Sequence, residues 1–182
     1  MSSPSTPKET FLADYCVPDY LIDTVHLHFE LDASDTHVRS ILSMRKNPKG
    51  QGGDCVLDGE QLELISVKVD GRQLQGNEYQ RTDKSLVLST LPDKFELEIE
   101  TRIEPDKNTA LEGLYHSGSL LCTQCEAEGF RRITYYLDRP DVMAVFTVSI
   151  VADKEQWPIM LANGNMEDQG QFDDGRHWTR WH

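Results

Sequence analysis

The stretch Asp23–Asp32, DTVHLHFELD, decides the fold class, because apolar and polar side chains alternate along most of its length. Valine, leucine and phenylalanine fall at every second position, and threonine, histidine and acidic residues fill the positions between them. A period of two is typical of a β-strand with one buried face and one face in water. The stretch therefore predicts a half-buried strand.

The same period recurs elsewhere in the chain. In Phe95–Glu104, apolar residues alternate with charged ones, most of them glutamates. Such an acidic outer face favours solubility and would protect the edge of a sheet from pairing with other chains. Further strands are predicted over residues 37–45, 85–89, 146–150, 157–162 and 176–182.

Turn signals separate these strands. Asp70-Gly71 predicts a tight hairpin of the primed type, and a change of register between Leu64 and Ile65 predicts a β-bulge. Asn163-Gly164 predicts a second hairpin turn, and residues 104–118 are expected to form a long covering loop. Together these signals predict an all-β domain that is open and saddle-like or sandwich-like and mostly antiparallel, with at most one or two short helical turns.

One of those turns is expected at Asp138–Ala144, where Pro140 suits the first position of a helical turn. Asp138, Arg139 and Asp141 would form a local ion-pair and capping cluster there. No other window of ten or more residues has the amphipathic period of a helix.

Composition narrows the possible functions. The 182 residues include 31 acidic and 18 basic ones, for a net charge of −13, and the basic residues are scattered. Nucleic-acid binding needs clustered lysine and arginine, so no nucleic-acid partner is expected. No apolar run reaches the roughly 20 residues of a membrane span, so no membrane partner is expected either.

The ends of the chain and its cysteines support further expectations. Residues 1–17 are rich in serine, proline and threonine and are predicted to be a mobile lead-in, while residues 18–182 form the domain. The start has no secretory signal, which predicts a cytoplasmic protein whose four cysteines are free thiols. Because the alternation over residues 176–182 continues to the last residue, the chain is expected to be a domain excised from a longer protein.

Polar side chains crowd together in Leu120–Phe146, LLCTQCEAEGFRRITYYLDRPDVMAVF. Gln124 and Glu126 lie two residues apart, so in an extended backbone both leave on one face while Cys125 points the other way. A carboxylate beside an amide oxygen suits a small cation such as the free amino terminus of a peptide. The ordinary alternative is a solvated strand face.

The run Thr123–Asp141 and the preceding Asn108–Tyr115, NTALEGLY, resemble the N-terminal β-domain of the aminopeptidase N family of zinc metallopeptidases, of the bacterial alanyl aminopeptidase type. The resemblance extends from about Asp19 to the last residue. It implies that Gln124 and Glu126 bind the substrate's amino terminus and first side chain. It also marks the peptide bond Glu126–Ala127 as a candidate for the cis form.

The resemblance further implies peptide substrates and a partner in the chain's own downstream catalytic domain, which would bind Zn²⁺. The family's zinc sequence, His-Glu-x-x-His, does not occur among these residues. No catalytic residue, metal ligand or cofactor is therefore expected in this chain, and alone it should not hydrolyse peptides.

Other motifs have competing interpretations. Cys122 and Cys125 form a C-x-x-C pair, which fits a zinc knuckle, a redox pair or simple packing behind the Gln124 face. His26 and His28 share the outer face of the first strand. Two interpretations are open there: the two histidines bind a metal ion together, or they are ordinary residues that face solvent. Residues 163–168, NGNMED, resemble the family's exopeptidase motif but are predicted to form a turn, with no substrate role for Glu167.

One alternative function stays open at this point. A freestanding β-sandwich could bind a protein or a carbohydrate through its tryptophan-rich end, which contains Trp157, Trp178 and Trp181.

Overall fold

The computed structural model describes residues 11–182, which form β-strands and three 3₁₀ turns. The all-β prediction is confirmed. The 3₁₀ turns are Leu12–Asp14, Pro105–Lys107 and Phe130–Arg132. The strands are β1 Tyr20–Leu31, β2 Thr36–Lys46, β3 Cys55–Asp58, β4 Glu63–Val69, β5 Arg72–Gln73, β6 Tyr79–Arg81, β7 Ser85–Leu88, β8 Lys94–Ile103, β9 Gly113–Ser117, β10 Leu120–Gln124, β11 Val145–Asp153, β12 Met166–Gln171 and β13 Arg176–Trp181.

An open eight-stranded sheet dominates the structure, in the order β12-β13-β11-β1-β2-β8-β4-β5. Its neighbouring strands run antiparallel except for β1 and β11, which run parallel from Thr24↔Val145 to Leu31↔Ala152. A three-stranded sheet, β3-β7-β6, and the β9–β10 hairpin complete the strand pairing described.

The core lies between the large sheet and the small one. Val25, Leu42 and Leu97 are fully buried on the inner face of the large sheet, as the alternation predicted, and Leu57 and Leu86 are fully buried on the small sheet. All of them belong to one cluster of buried residues, which also includes residues of the 133–137 segment. The polar segment that follows β10 therefore rests directly on the core.

The outer face of β8 differs from the prediction. β8 lies between β2 and β4, so its glutamates do not protect a sheet edge. Glu98 is only 8% exposed and contacts Arg39 Nη2 at 2.6 Å and Lys68 Nζ at 2.7 Å. The hydrogen bond from Arg39 is the main cause that lowers the pKa of Glu98 below its ordinary value.

Two of the turn predictions are confirmed, the Asp70-Gly71 hairpin and the bulge near Ile65. Asp70 and Gly71 both have positive φ angles, 50° and 76°, which is the geometry of a primed hairpin between β4 and β5. The register shift in the β4–β8 pair lies between Leu64 and Ser66, where the bulge was predicted.

The strand predicted over residues 157–162 is wrong. Its backbone pairs with no strand in the part of the chain that the structure describes. Asp153 Oδ1 accepts hydrogen bonds from the amides of Glu155 and Gln156, and a turn follows instead of a continuing strand. Pro158 also lacks the N–H group that a sheet ladder needs. Because that strand does not form, Asn163-Gly164 leads into β12 without closing a hairpin.

Two other segments also differ from the prediction. Residues 104–118 contain a 3₁₀ turn and strand β9 in addition to loop. In place of the predicted helical turn at Asp138–Ala144, a single hydrogen-bonded turn forms at Pro140 and Asp141, where the Val142 amide donates to the Arg139 carbonyl at 3.2 Å. The helical turn of this region lies earlier, at Phe130–Arg132.

The start of the described chain contacts the domain. Tyr15 Oη donates a hydrogen bond to Asp141 Oδ2 at 2.8 Å, and Arg139 Nη2 donates one to the Cys16 carbonyl at 2.8 Å. The mobility predicted for residues 1–17 stays a prediction, and residues 1–10 lie outside the described residues.

Candidate functional site

The β9–β10 hairpin places Gln124 at the end of a strand. Gln124 pairs with Gly113 in the antiparallel register, and the chain turns immediately afterwards. The amide of Gly129 donates a hydrogen bond to the Cys125 carbonyl at 2.9 Å, which closes the turn. We call residues 124–129 the Glu126 turn.

Gln124 and Glu126 are both exposed, whereas Cys125 is half-buried and packs against the core. Gln124 Nε2 donates a hydrogen bond to the Glu126 carbonyl oxygen at 3.0 Å. This bond uses one of the two N–H groups of the amide and leaves Gln124 Oε1 available as an acceptor. An acceptor oxygen and a free carboxylate are therefore held on adjacent parts of one turn.

The peptide bond between Glu126 and Ala127 is cis, as the resemblance implied. The backbone does not stay extended through Glu126, since the strand ends at Gln124.

Two glycines allow the turn to close against the hairpin. A Cβ atom on Gly129 would overlap the Gln124 carbonyl oxygen and would lie 3.1 Å from Cys125 Cα. On Gly113, which has a φ of 71°, a Cβ atom would lie 2.7 Å from Arg132 Cβ. The backbone segments thus pack more closely than any larger residue would permit.

Arg131 and Asp138 lie beneath the turn. Asp138 Oδ2 accepts hydrogen bonds from Arg131 Nε at 2.9 Å and from the Arg131 amide at 3.1 Å. The amide of Asp138 in turn donates to Asp58 Oδ2 at 3.2 Å. Burial raises the pKa of Asp58 above its ordinary value. The predicted cluster of Asp138, Arg139 and Asp141 is thus divided, because Arg139 pairs with Asp141 and Asp138 pairs with Arg131.

An apolar groove of about 680 Å³ lies beside the turn. Its walls come from β10, from β1 and β11 of the large sheet, and from the segment of residues 157–163. Thr123 and Cys125 line the groove, whereas Gln124 and Glu126 do not. Gln124 lies between Thr123 and Cys125 at the end of the strand, so its side chain leaves on the opposite face.

The C-x-x-C pair has the character of packing residues. Both cysteines line the groove, and burial raises the pKa of Cys125 to about 11. A thiol with such a pKa stays protonated at neutral pH and is a poor nucleophile and metal ligand. Within residues 11–182, no three His, Cys, Asp or Glu side chains cluster closely enough to hold a metal ion. His26 and His28 accordingly have no third ligand there.

The tryptophans do not form one binding platform. Trp178 and Trp181 are three residues apart on β13 and therefore leave opposite faces of the sheet. Trp157 lines the groove, and its ring contacts His116 edge to face at 6.0 Å between centroids.

Sequence reasoning missed the supports of the turn. It assigned no role to Gly113 or Gly129, and it paired Asp138 with its neighbours instead of with Arg131. Arg131 and Asp138 are seven residues apart, a spacing that matches neither a helix nor a strand, so the sequence contains no pattern that identifies the pair.

No described helix has the length and apolar character needed to cross a membrane.

Comparisons with known proteins agree with the fold and the motif. The family model of the peptidase M1 N-terminal domain matches residues 19–182. The chain is similar to aminopeptidase N of Escherichia coli (strain K12), with 47% identity over 175 residues, which are 96% of this chain and 20% of that protein. It is 45% identical over 176 residues to aminopeptidase N of Caulobacter vibrioides, again covering 20% of that protein.

A solved structure shows the same likeness in three dimensions. Legionella pneumophila aminopeptidase A, in complex with aspartic acid, superimposes with a TM-score of 0.87 at 31% identity, over 93% of this chain and 20% of that one. The chain thus spans about a fifth of the length of these relatives. The chain belongs to the peptidase M1 N-terminal domain family.

Proposed function

We propose that this chain is the substrate-contacting domain of a zinc-dependent aminopeptidase, which removes amino-terminal residues from peptides. The observation that carries the proposal is the Glu126 turn, where Gln124 and Glu126 are both exposed and are joined by the hydrogen bond from Gln124 Nε2 to the Glu126 carbonyl oxygen. The names of the relatives, aminopeptidase N, support the same activity.

The turn can discriminate between substrates by charge. Glu126 would accept charge-assisted hydrogen bonds from the α-ammonium group of a peptide, and Gln124 Oε1 would add a neutral acceptor. A peptide bond inside a chain offers no ammonium group, so its binding would leave the carboxylate desolvated and unpaired. Fixing the ammonium group also fixes the distance to the first peptide bond, which selects that bond for cleavage.

The described residues do not fit a zinc site, since they contain no suitable ligand cluster. We therefore assign zinc, and the residues that catalyse hydrolysis, to a catalytic domain elsewhere in the full-length protein. That domain is the proposed partner of this chain, and peptides with a free amino terminus are the proposed ligands. A cytoplasmic location accords with the four free cysteines.

The test uses the full-length protein and L-alanyl p-nitroanilide. Glu126→Gln removes the charge and keeps the shape, and it should raise KM about tenfold to a hundredfold, the range expected for a hydrogen bond to a charged group. Gln124→Glu and Gln124→Ala separate the contribution of the acceptor from that of the amide donor. Glu167→Gln is the matched control, since Glu167 is also exposed but lies on β12 away from the turn, and KM should not change.

A second measurement isolates recognition of the amine. Phenylalaninamide and its analogue without the amine, 3-phenylpropanamide, are compared as competitors. Glu126→Gln should weaken inhibition by phenylalaninamide only. Equal weakening of both competitors, or an unchanged KM, would show that the turn does not bind the amine. The 182-residue chain alone should hydrolyse nothing, with or without added zinc.

A further inference from the structure

The two ends of the Glu126 turn are held in place, because Cys125 packs on the core and Gly129 packs against the hairpin, but residues 126–128 between them are exposed. Glu126, Ala127 and Glu128 are exposed, and only Gly129 at its end is buried. An exposed turn of this length would sample several orientations unless it were tied to the core. The orientation of Glu126 therefore depends on the residues that anchor the turn.

Arg131 connects the turn with three parts of the domain. Its Nη2 lies 3.4 Å from Glu128 Oε2 in the turn, and the same atom donates to the Asp138 carbonyl at 3.1 Å. Its Nη1 lies 4.0 Å from Asp58 Oδ1 on β3, and its backbone carbonyl accepts a hydrogen bond from the Glu60 amide at 2.9 Å.

The Arg131 side chain is enclosed at this junction. The side chains of Arg131 and Asp138 are 16% and 9% exposed, respectively. A buried guanidinium must be paired and must satisfy several donors, which confines it to one geometry. Exposed surface pairs, in contrast, hold their side chains loosely. The Arg131–Asp138 pair is thus held firmly against the core, and the ion pair that links it to the turn is the weaker one with Glu128, which is 67% exposed.

We propose that Arg131 is a positioning residue: held by Asp138, it fixes the Glu126 turn through Glu128 and so orients Glu126 towards the substrate amine. Arg131 itself touches no substrate. This inference rests on the proposed function of Glu126 in amine binding.

Arg132 provides a matched control in the adjacent position. Its side chain is also 16% exposed and also forms ion pairs, with Glu60 at 3.0 Å and Glu112 at 3.0 Å. Those partners lie outside the Glu126 turn. Loss of the Arg132 side chain removes comparable interactions without releasing Glu128.

The experiment is a double-mutant cycle in the full-length protein, measured as KM and kcat for L-alanyl p-nitroanilide. Arg131→Ala should raise KM about tenfold with a smaller effect on kcat, Arg131→Lys should recover part of the loss, and Arg132→Ala should change KM less than about twofold. In the Glu126→Gln background, Arg131→Ala should raise KM no further, because the group that it positions is already gone.

Glu128→Gln tests the same link without risk to folding, since Glu128 is two-thirds exposed. It should raise KM about twofold to threefold, and only while Glu126 is present. Equal effects of Arg131→Ala and Arg132→Ala, or effects of Arg131→Ala that add fully to those of Glu126→Gln, would overturn the positioning role. An unchanged KM in Glu126→Gln alone would instead overturn the proposed function, and the positioning role with it.

Discussion

Substitution of Gly129 by alanine would test how tightly the Glu126 turn is packed. Gly129 has φ and ψ angles of −92° and −15°, which alanine adopts without strain. Alanine would also reduce the freedom of the unfolded chain and so stabilise the protein by about 0.4–1 kcal/mol if space allowed. The backbone conformation therefore does not require glycine here.

The limited space around Gly129 does require glycine, because an added Cβ would overlap the Gln124 carbonyl oxygen and would lie 3.1 Å from each of two further backbone atoms. Backbone cannot rotate away as a side chain can, and overpacking of this kind costs about 1–3 kcal/mol. The net expectation is a loss of about 0.5–2 kcal/mol. For a domain of this size the melting temperature should fall by about 1–8 °C.

Thermal unfolding of the 182-residue chain, followed by circular dichroism, measures this loss. Gly76→Ala is the matched control, since Gly76 has no atom within 4 Å of the added Cβ and a negative φ angle. That variant should be unchanged or slightly more stable. If the Gly129→Ala and Gly76→Ala variants had the same melting temperature, the close packing of the turn against the hairpin would be refuted.

Three further predictions concern the core, the sheet face and the cysteines. Leu97→Ala, in the fully buried centre of β8, should destabilise the chain by about 2–5 kcal/mol in urea unfolding, whereas Leu161→Ala at an exposed site should have little effect. Because the pKa of Glu98 is lowered, its ionised form stabilises the fold above the ordinary carboxyl range, and this contribution is lost as the pH falls through the lowered pKa. The Glu98→Gln variant should therefore be less stable than the unsubstituted protein at pH 7, and its stability should fall less than that of the unsubstituted protein as the pH is lowered. Urea unfolding measured between about pH 2 and 7 would show both effects. Exposed Cys16 should react with a thiol reagent at pH 8 far faster than Cys55, which is fully buried with a pKa raised to about 12. The Cys16→Ser variant should lack the fast phase, and a fast phase that persisted would contradict this assignment.

The strands that the sequence predicted correctly are those whose pattern is local. In β1 and β8 the alternation follows directly from one face on the core and one face outward, so a single stretch contains the whole signal. Which strands pair with each other, in contrast, could not be predicted from a local pattern. Nothing near Thr24 in the sequence indicates that β11 runs parallel beside it, because this pairing depends on the path of the intervening chain.

The errors have physical causes of the same kind. Residues 157–162, WPIMLA, form a short apolar run, and five of the six line the apolar groove. An apolar groove wall therefore gave the same signal as a buried strand. The glutamates of β8 suggested a solvated edge, yet Glu98 is covered by cationic side chains from both neighbouring strands. At the candidate site, the spacing argument placed Gln124 and Glu126 on one face of an extended strand, but the strand ends at Gln124 and Glu126 lies in a turn. Arg131 depends on contacts with Asp58 and Asp138 that only the folded chain brings together.

The parallel pairing of β1 with β11 has a consequence for synthesis of the protein. β1 can pair with β2 soon after it leaves the ribosome, but its other edge has no partner until residues 145–153 have been made. At about 5–20 residues per second this interval lasts about 6–24 s. During that time a long hydrophobic strand edge is open to other nascent chains. The ribosome-bound intermediate is therefore the stage at which a chaperone would protect this chain most.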